Sequence, residues 1–70
     1  MTIQWVFNGK YWDGYLGQYN LYTVATDGKK WYCQGATMPA MSTVCKDEWA
    51  AKSMAESNAV KFVADIKAVL

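Results

Sequence analysis

Two dipeptides with a strong turn preference, Asn8-Gly9 and Asp27-Gly28, constrain the fold of the first half of this 70-residue chain more than any other feature. Asn-Gly and Asp-Gly suit the positive backbone angles of two-residue hairpin turns, and aromatic and β-branched residues flank both dipeptides. The sequence therefore predicts two antiparallel hairpins. Residues 14–18, which include two glycines, connect the hairpins and predict either a β-bulge or a short loop.

Two-residue turns would also fix the strand register, with Trp5 opposite Trp12 and Val24 opposite Trp31. Because side chains alternate between the two faces of a strand, each face can be predicted from the sequence. The predicted core face carries Ile3, Trp5, Phe7, Trp12, Tyr22, Val24, Trp31 and Cys33. The predicted outer face is polar with interspersed aromatic residues, and it carries Gln4, Val6, Tyr11, Asp13, Thr23, Ala25, Lys30, Tyr32 and Gln34.

The second half of the chain has the pattern of a long helix, because residues 44–69 contain neither glycine nor proline. Ser42 or Thr43 would cap this helix, with Asp47 and Glu48 in its first turn, where the helix dipole favours negative charge. Its apolar residues recur at helical spacing and form one stripe, which consists of Ala55, Ala59, Phe62, Val63, Ile66 and Leu70.

A second apolar group on the helix, formed by Trp49, Ala50 and Met54, lies on a different side of the helical wheel from this stripe. Either the helix breaks near Ser57-Asn58, or its N-terminal half carries a separate apolar patch. The lack of a strong breaker favours one long helix. The patch is predicted to be an interface, or else to be covered by the segment around Pro39.

These elements predict a single α+β domain spanning residues 1–70. An antiparallel β-meander of three to four strands, at about residues 2–35, would pack on one long C-terminal helix at about residues 44–69. A crossover at residues 36–43 would connect them, because Pro39 lacks the backbone donor that a central strand needs.

The residue types present argue against catalysis. The chain has no histidine, so triads and histidine-metal sites cannot form within it. Cys33 and Cys45 cannot complete a four-ligand metal site, and without a secretion signal both are expected to be reduced thiols. Asp47 and Glu48 are adjacent on the predicted helix and point apart, which makes them a poor acid–base pair. We therefore predict no enzyme activity, no metal and no cofactor.

Aromatic residues are the informative excess, with four tryptophans and five tyrosines in 70 residues. Tyrosine offers a large rigid surface with a polar tip, which is common chemistry at binding surfaces. Cross-strand packing of the tyrosines on a half-exposed sheet is the structural alternative. The predicted partner-binding residues are Tyr11, Tyr15, Tyr19, Tyr32, Lys30, Trp49 and Met54.

The segment from Leu21 to Tyr32, which contains Asp27-Gly28, followed by the helix from Lys46 to Val69, resembles the arm-type DNA-binding domains of phage integrases over residues 19–60. Those domains carry an arginine-rich sheet face, whereas this chain contains no arginine. In size, architecture and surface the chain also resembles very short phage and prophage accessory proteins. That resemblance implies binding and inhibition of a host protein, such as a defence nuclease.

The leading functional prediction is accordingly a non-enzymatic protein-binding module with a protein partner, a homodimer or both, and the resemblance to phage accessory proteins implies that it inhibits a host protein. The alternative is weak nucleic-acid binding through Lys10, Lys29 and Lys30, with bases stacked on Tyr11 or Tyr32. A net charge of +1 disfavours that alternative. A carbohydrate-binding domain ranks third and would require export. No apolar run long enough to span a membrane is present, and a cytoplasmic location is expected.

Overall fold

The computed structural model describes residues 3–35 and 43–69. In chain order the elements are β1 (Gln4–Phe7), β2 (Trp12–Leu16), β3 (Tyr19–Thr26), β4 (Trp31–Gly35), β5 (Thr43–Cys45) and the helix α1 (Glu48–Val69). The strands form one antiparallel sheet in the order β1-β2-β3-β4-β5, and α1 packs on one of its faces. The predicted α+β architecture, an antiparallel meander packed on one C-terminal helix, is confirmed.

The sheet has five strands rather than three or four, because β5 forms where the sequence predicts the end of the crossover and the start of the helix. Cys45 pairs with Trp31, and Val44 pairs with Tyr32. A β-branched residue such as Val44 favours a strand over a helix, and the pairing with β4 gives it a strand to join. The rest of the predicted crossover, residues 36–42 with Pro39, lies outside the described residues.

The helix begins at Glu48, four residues later than predicted. Asp47 caps it, because its Oδ1 accepts a hydrogen bond of 2.7 Å from the backbone N–H of Ala50. The predicted cap at Thr43 is wrong, since Thr43 belongs to β5, and the other predicted cap, Ser42, lies outside the described residues. The helix runs without a break to Val69, which confirms one long helix.

Both hairpin turns have four residues instead of two, so the predicted register is wrong by two residues. Phe7, not Trp5, pairs with Trp12, and Val24 pairs with Cys33 instead of Trp31. Because the shift is an even number, every paired residue keeps its predicted face. Tyr11 and Lys30, which were predicted on the outer face, lie in the turns instead.

The side chain that precedes each glycine explains the longer turns. Asn8 Oδ1 accepts hydrogen bonds from the backbone N–H groups of Lys10 and Tyr11, at 2.9 and 3.0 Å. Asp27 Oδ1 accepts bonds of 2.9 Å from the N–H groups of the two residues at the same offsets in the second turn. Each side chain thus satisfies two loop donors that a two-residue turn would not present. Gly9 and Gly28 both have φ +97°, which only glycine adopts readily.

Glycines make room for two aromatic rings on the helix-facing side of the sheet. Trp5 pairs with Gly14, and Tyr22 pairs with Gly35. A Cβ at Gly14 would lie 2.8 Å from the Trp5 ring, and a Cβ at Gly35 would overlap the Tyr22 ring. The register of β2 and β3 shifts just after Gly14, so the predicted bulge is present, and a turn at residues 17–18 follows it.

The buried core is made mostly of small side chains. Among the described residues it consists of Ile3, Tyr22, Val24, Cys33, Cys45, Ala51, Ala55 and Ala59. The three alanines lie on one side of α1 and allow it to approach β3, β4 and β5 closely. The tryptophans predicted for the core are only half-buried, and Phe7 is 53% exposed. These tryptophans and Phe7 therefore lie at the margin of the core, whereas Tyr22 is buried within it.

The fully buried positions of the helix are confined to its first part. The last buried position of α1 is Ala59, and none of residues 60–69 is buried. At a rise of about 1.5 Å per residue, these ten residues extend about 15 Å beyond the last buried position. The predicted stripe therefore divides: Ala55 and Ala59 are buried, whereas Phe62, Val63 and Ile66 are half-buried or exposed.

Candidate functional site

An aromatic cavity of about 410 Å³ lies at the turn end of the sheet, next to the start of α1. Trp12 on β2 and Trp31 on β4 lie on either side of the central strand β3, which contributes Val24 and Thr26 between them. Phe7 extends the wall beyond Trp12, and the two ring centroids are 5.1 Å apart. The volume falls within the range of about 300–1,000 Å³ that is typical of ligand pockets.

The rim of the cavity is polar and carries one charge of each sign. Lys10 and Tyr11 line it from the first turn, and Glu48 lines it from the first turn of α1. An apolar interior with a polar rim is the usual arrangement of a protein interface. We name this site the aromatic cavity and define it by Phe7, Trp12, Trp31, Lys10 and Glu48.

Two contacts with α1 hold the Trp12 wall in place. Trp12 Nε1 donates a hydrogen bond of 2.9 Å to Glu48 Oε1. Lys52 Nζ lies 3.5 Å from the centroid of the Trp12 ring and 3.6 Å from Glu48 Oε2. The indole is thereby fixed by a hydrogen bond at its edge and a cation on its face. A wall fixed in this way loses little conformational freedom when a ligand binds.

The second turn is held by the same two hydrogen bonds as the first, but the acceptor is the carboxylate of Asp27 instead of a side-chain amide. The N–H groups of Lys30 and Lys29, and then the hydroxyl of Tyr32, lower the pKa of Asp27 to about 2. Tyr32 Oη donates to Asp27 Oδ2 at 2.9 Å, and this bond raises the pKa of Tyr32 above its usual 10.0. Lys30 is exposed and bonds to Asp27 through its backbone N–H, so this bond does not orient its ammonium group.

The predicted partner-binding residues lie on several surfaces. Tyr15 and Tyr32 are on the outer face of the sheet, which α1 does not cover. Tyr19 is exposed at the start of β3, and Tyr11 lines the aromatic cavity instead of lying on the outer face. Lys30 lies in the second turn.

The remaining two predicted residues are on the helix. Trp49 is 76% exposed, and Met54 is also exposed. Since α1 packs on the inner face of the sheet, these two side chains are in a different layer from Tyr15 and Tyr32. The structure therefore does not join the seven residues into one surface. The alternative covering segment, residues 36–42, is outside the described residues.

Three residues of the aromatic cavity, Phe7, Trp12 and Trp31, were assigned to the core from the sequence. A signal for the site is nonetheless present: the two turns read Asn-Gly-Lys-Tyr-Trp and Asp-Gly-Lys-Lys-Trp, with the tryptophan at the same position. The β1–β2 and β3–β4 turns of a meander lie at the same end of the sheet, because the β2–β3 turn between them lies at the opposite end. The repeat therefore brings Trp12 and Trp31 together on one face.

The cysteines lie on the helix-facing side, away from solvent. Cys33 is fully buried, Cys45 is nearly so, and no disulfide joins them. Burial, together with the neighbouring Cys45, raises the pKa of Cys33 to about 11. A thiol that remains protonated at neutral pH is a weak nucleophile, so this pair has the character of core residues.

Across residues 3–35 and 43–69, no three histidine, cysteine or carboxylate side chains are grouped so as to hold a metal ion. Within the same ranges, no helix combines the length and the apolar character needed to cross a membrane. No protein-family model, no curated protein and no solved structure matches the chain.

Proposed function

We propose that this protein is a small, non-enzymatic protein-binding module and that the aromatic cavity is its binding site. The observation that carries the proposal is the open aromatic wall formed by Phe7, Trp12 and Trp31 around about 410 Å³ of accessible space. Interfaces are enriched in tryptophan and other aromatic residues, and a few such anchors supply most of the binding energy.

The cavity favours an apolar or aromatic side chain from the partner protein as its occupant. Such a side chain would contact the indoles of Trp12 and Trp31, while Lys10 and Glu48 at the rim would meet polar groups around it. Burying a large apolar side chain contributes about 1.5–3 kcal/mol, which is the scale of an interface hot spot.

The composition of the core supports a role that depends on a partner. In the part of the chain that the structure describes, three of the eight buried hydrophobic residues are alanine, while the large side chains of Phe7 and Trp49 remain exposed. A domain of this size buries only about 60% of the surface of its unfolded chain and is marginally stable alone. A partner that binds only the folded state would add to its stability.

The more specific part of the proposal concerns the kind of partner. The resemblance in size and architecture to short phage and prophage accessory proteins supports a host protein as the target, with inhibition as the outcome. Its support is this resemblance together with the exposed aromatic surface.

Two adjacent residues of β1 provide a matched test. Phe7 lines the aromatic cavity and is 53% exposed, whereas Val6 is 51% exposed and pairs with Asp13 on the outer face. We expect Phe7→Glu to remove the partner that co-purifies with the tagged protein from the cells that encode it. Val6→Glu should retain that partner, and both variants should keep their thermal melts.

The result has three readings. Loss of the partner with Phe7→Glu alone supports the aromatic cavity. Retention of the partner by both variants, or its loss with Val6→Glu alone, contradicts the site. In the latter case the outer sheet face would be the binding surface.

The alternative proposal, nucleic-acid binding, is favoured by one observation. The turns that carry Lys10, Lys29 and Lys30 connect β1 to β2 and β3 to β4, and these alternate turns of the meander lie at the same end of the sheet. Counterion release would make the affinity for a labelled single strand fall steeply as salt increases, in proportion to the number of phosphate contacts. Fluorescence anisotropy at two salt concentrations distinguishes the two proposals, because an apolar contact changes little with salt.

A further inference from the structure

The polar groups at the rim of the aromatic cavity are not equally available to a ligand. The carboxylate of Glu48 is already engaged, because it accepts a hydrogen bond of 2.9 Å from Trp12 Nε1 and lies 3.6 Å from Lys52 Nζ. Within the described residues, the ammonium group of Lys10 and the hydroxyl of Tyr11 make no hydrogen bond or ion pair. The charged group that the rim still offers to a ligand is therefore a cation.

The same difference between anions and cations extends across this end of the sheet. The carboxylates in and next to the two turns accept hydrogen bonds from the chain's own donors; they are Asp13, Asp27, Asp47 and Glu48. Lys29 and Lys30 of the second turn, like Lys10 of the first, are exposed and form no ion pair with any described residue. Because both turns lie at the same end of the sheet, three uncommitted ammonium groups share that end with the aromatic cavity.

The interior of the cavity needs an apolar group, since its walls are the rings of Phe7, Trp12 and Trp31. A ligand that matches both interior and rim combines a large apolar side chain with nearby negative charge. Nucleic acid also combines flat rings with negative charge, but a net charge of +1 and the absence of arginine give this chain little with which to neutralise a run of phosphates. An acidic protein segment needs only a few ammonium groups.

We propose that the aromatic cavity binds an acidic segment of the partner protein, in which carboxylates flank the apolar side chain that enters the cavity. This inference rests on the proposed function and adds the chemical class of the partner. Charge complementarity selects this occupant. The flanking carboxylates meet the ammonium group of Lys10 and those of the second turn, which the chain leaves without partners. A segment with basic flanks would place like charges together, and Glu48 is already bound.

Peptides that share one anchor and differ in their flanks test the charge. Three fluorescein-labelled peptides carry a central tryptophan between glutamate, serine or lysine residues, and fluorescence anisotropy measures their binding to the full chain. We expect the glutamate peptide to bind about tenfold more tightly than the serine peptide, and the lysine peptide to bind more weakly than either. Equal affinities, a preference for the lysine peptide, or no binding of the glutamate peptide at millimolar concentration would overturn the inference.

A charge reversal locates the contact. Lys10→Glu should weaken binding of the glutamate peptide about tenfold and strengthen binding of the lysine peptide. Lys61→Glu is the matched control, because it changes the net charge equally at an exposed position of α1 and should leave both affinities nearly unchanged. Circular dichroism confirms that each variant keeps its fold. An unchanged affinity in Lys10→Glu, or an equal loss in Lys61→Glu, would contradict a contact at this rim.

Phe7→Glu separates failure of this inference from failure of the proposed function. If the three peptides bind equally and Phe7→Glu releases all of them, the cavity is a binding site and only the charge of the partner is wrong. If Phe7→Glu leaves the peptides bound and keeps the co-purifying partner, the proposed site itself fails. A single-stranded oligonucleotide that displaces the glutamate peptide more effectively than the unlabelled peptide does would assign the lysines to nucleic acid and overturn the inference.

Discussion

The hydrogen bond between Tyr22 and Asn58 joins the centre of the sheet to the helix and offers the sharpest test of the packing. Tyr22 is 1% exposed, and its hydroxyl donates to Asn58 Oδ1 at 2.7 Å. Burial, and secondarily Cys33, raises the pKa of Tyr22, so the hydroxyl remains a donor throughout the neutral range. Tyr22→Phe removes this bond and almost nothing else.

The expected magnitude follows from the setting of the bond. A typical hydrogen bond contributes about 0.5–1.5 kcal/mol net, and a cost of about 1 kcal/mol fits a partner, Asn58, that is only half-buried and can be rehydrated. For a domain of 60–100 residues, each 1 kcal/mol lowers Tm by about 4–8 °C. We therefore expect Tyr22→Phe to melt about 4–8 °C below the wild-type protein.

A thermal melt followed by far-UV circular dichroism measures the effect, and Tyr19→Phe on the same strand serves as the control. Tyr19 is 62% exposed, so its hydroxyl should contribute less than about 0.5 kcal/mol. A double-mutant cycle with Asn58→Ala isolates the pairwise energy. If Tyr22→Phe melts together with Tyr19→Phe, or if the coupling energy is zero, the helix does not pack on β3 as described.

Three further perturbations have defined outcomes. Asp27→Asn should retain the second turn, since Asn8 makes the same contacts in the first. It should also remove the loss of stability that protonation of Asp27 causes as pH falls from about 4 to 2. Acid titrations of both proteins measure this difference, and equal acid midpoints would contradict it. Gly14→Ala should destabilise the fold by about 1–3 kcal/mol, because the added Cβ would lie 2.8 Å from the Trp5 ring. A denaturant midpoint equal to that of the wild type would show that the ring moves freely. The free energy of unfolding should fall between about pH 9 and 11, where the thiol of Cys33 ionises in the unfolded chain but not in the folded one. Urea titrations should show that the free energy of unfolding of Cys33→Ala depends less steeply on pH. Identical slopes for the two proteins would place the thiol in water.

The local sequence determined the elements that rest on short-range chemistry. Asn-Gly and Asp-Gly specified two hairpins, and strict alternation assigned Trp5, Tyr22 and Val24 to the helix-facing side even though the register was predicted two residues out. An even shift preserves the faces of a strand, so this error did not affect the layer in which each side chain lies. The absence of glycine and proline from residues 44–69 likewise predicted one uninterrupted helix.

The tertiary structure decided what depends on distant partners. β5 exists because β4 offers Val44 and Cys45 an edge with which to pair, and this moved the start of the helix to Asp47 and Glu48. No local pattern distinguishes a tryptophan that a helix covers from one that it leaves partly exposed. The alanines of α1 let the helix pack on β3, β4 and β5, and Trp12 and Trp31 then line a cavity. The length of the helix is a local property, whereas the extent of the sheet beneath it is not. That difference leaves residues 60–69 without a buried side chain.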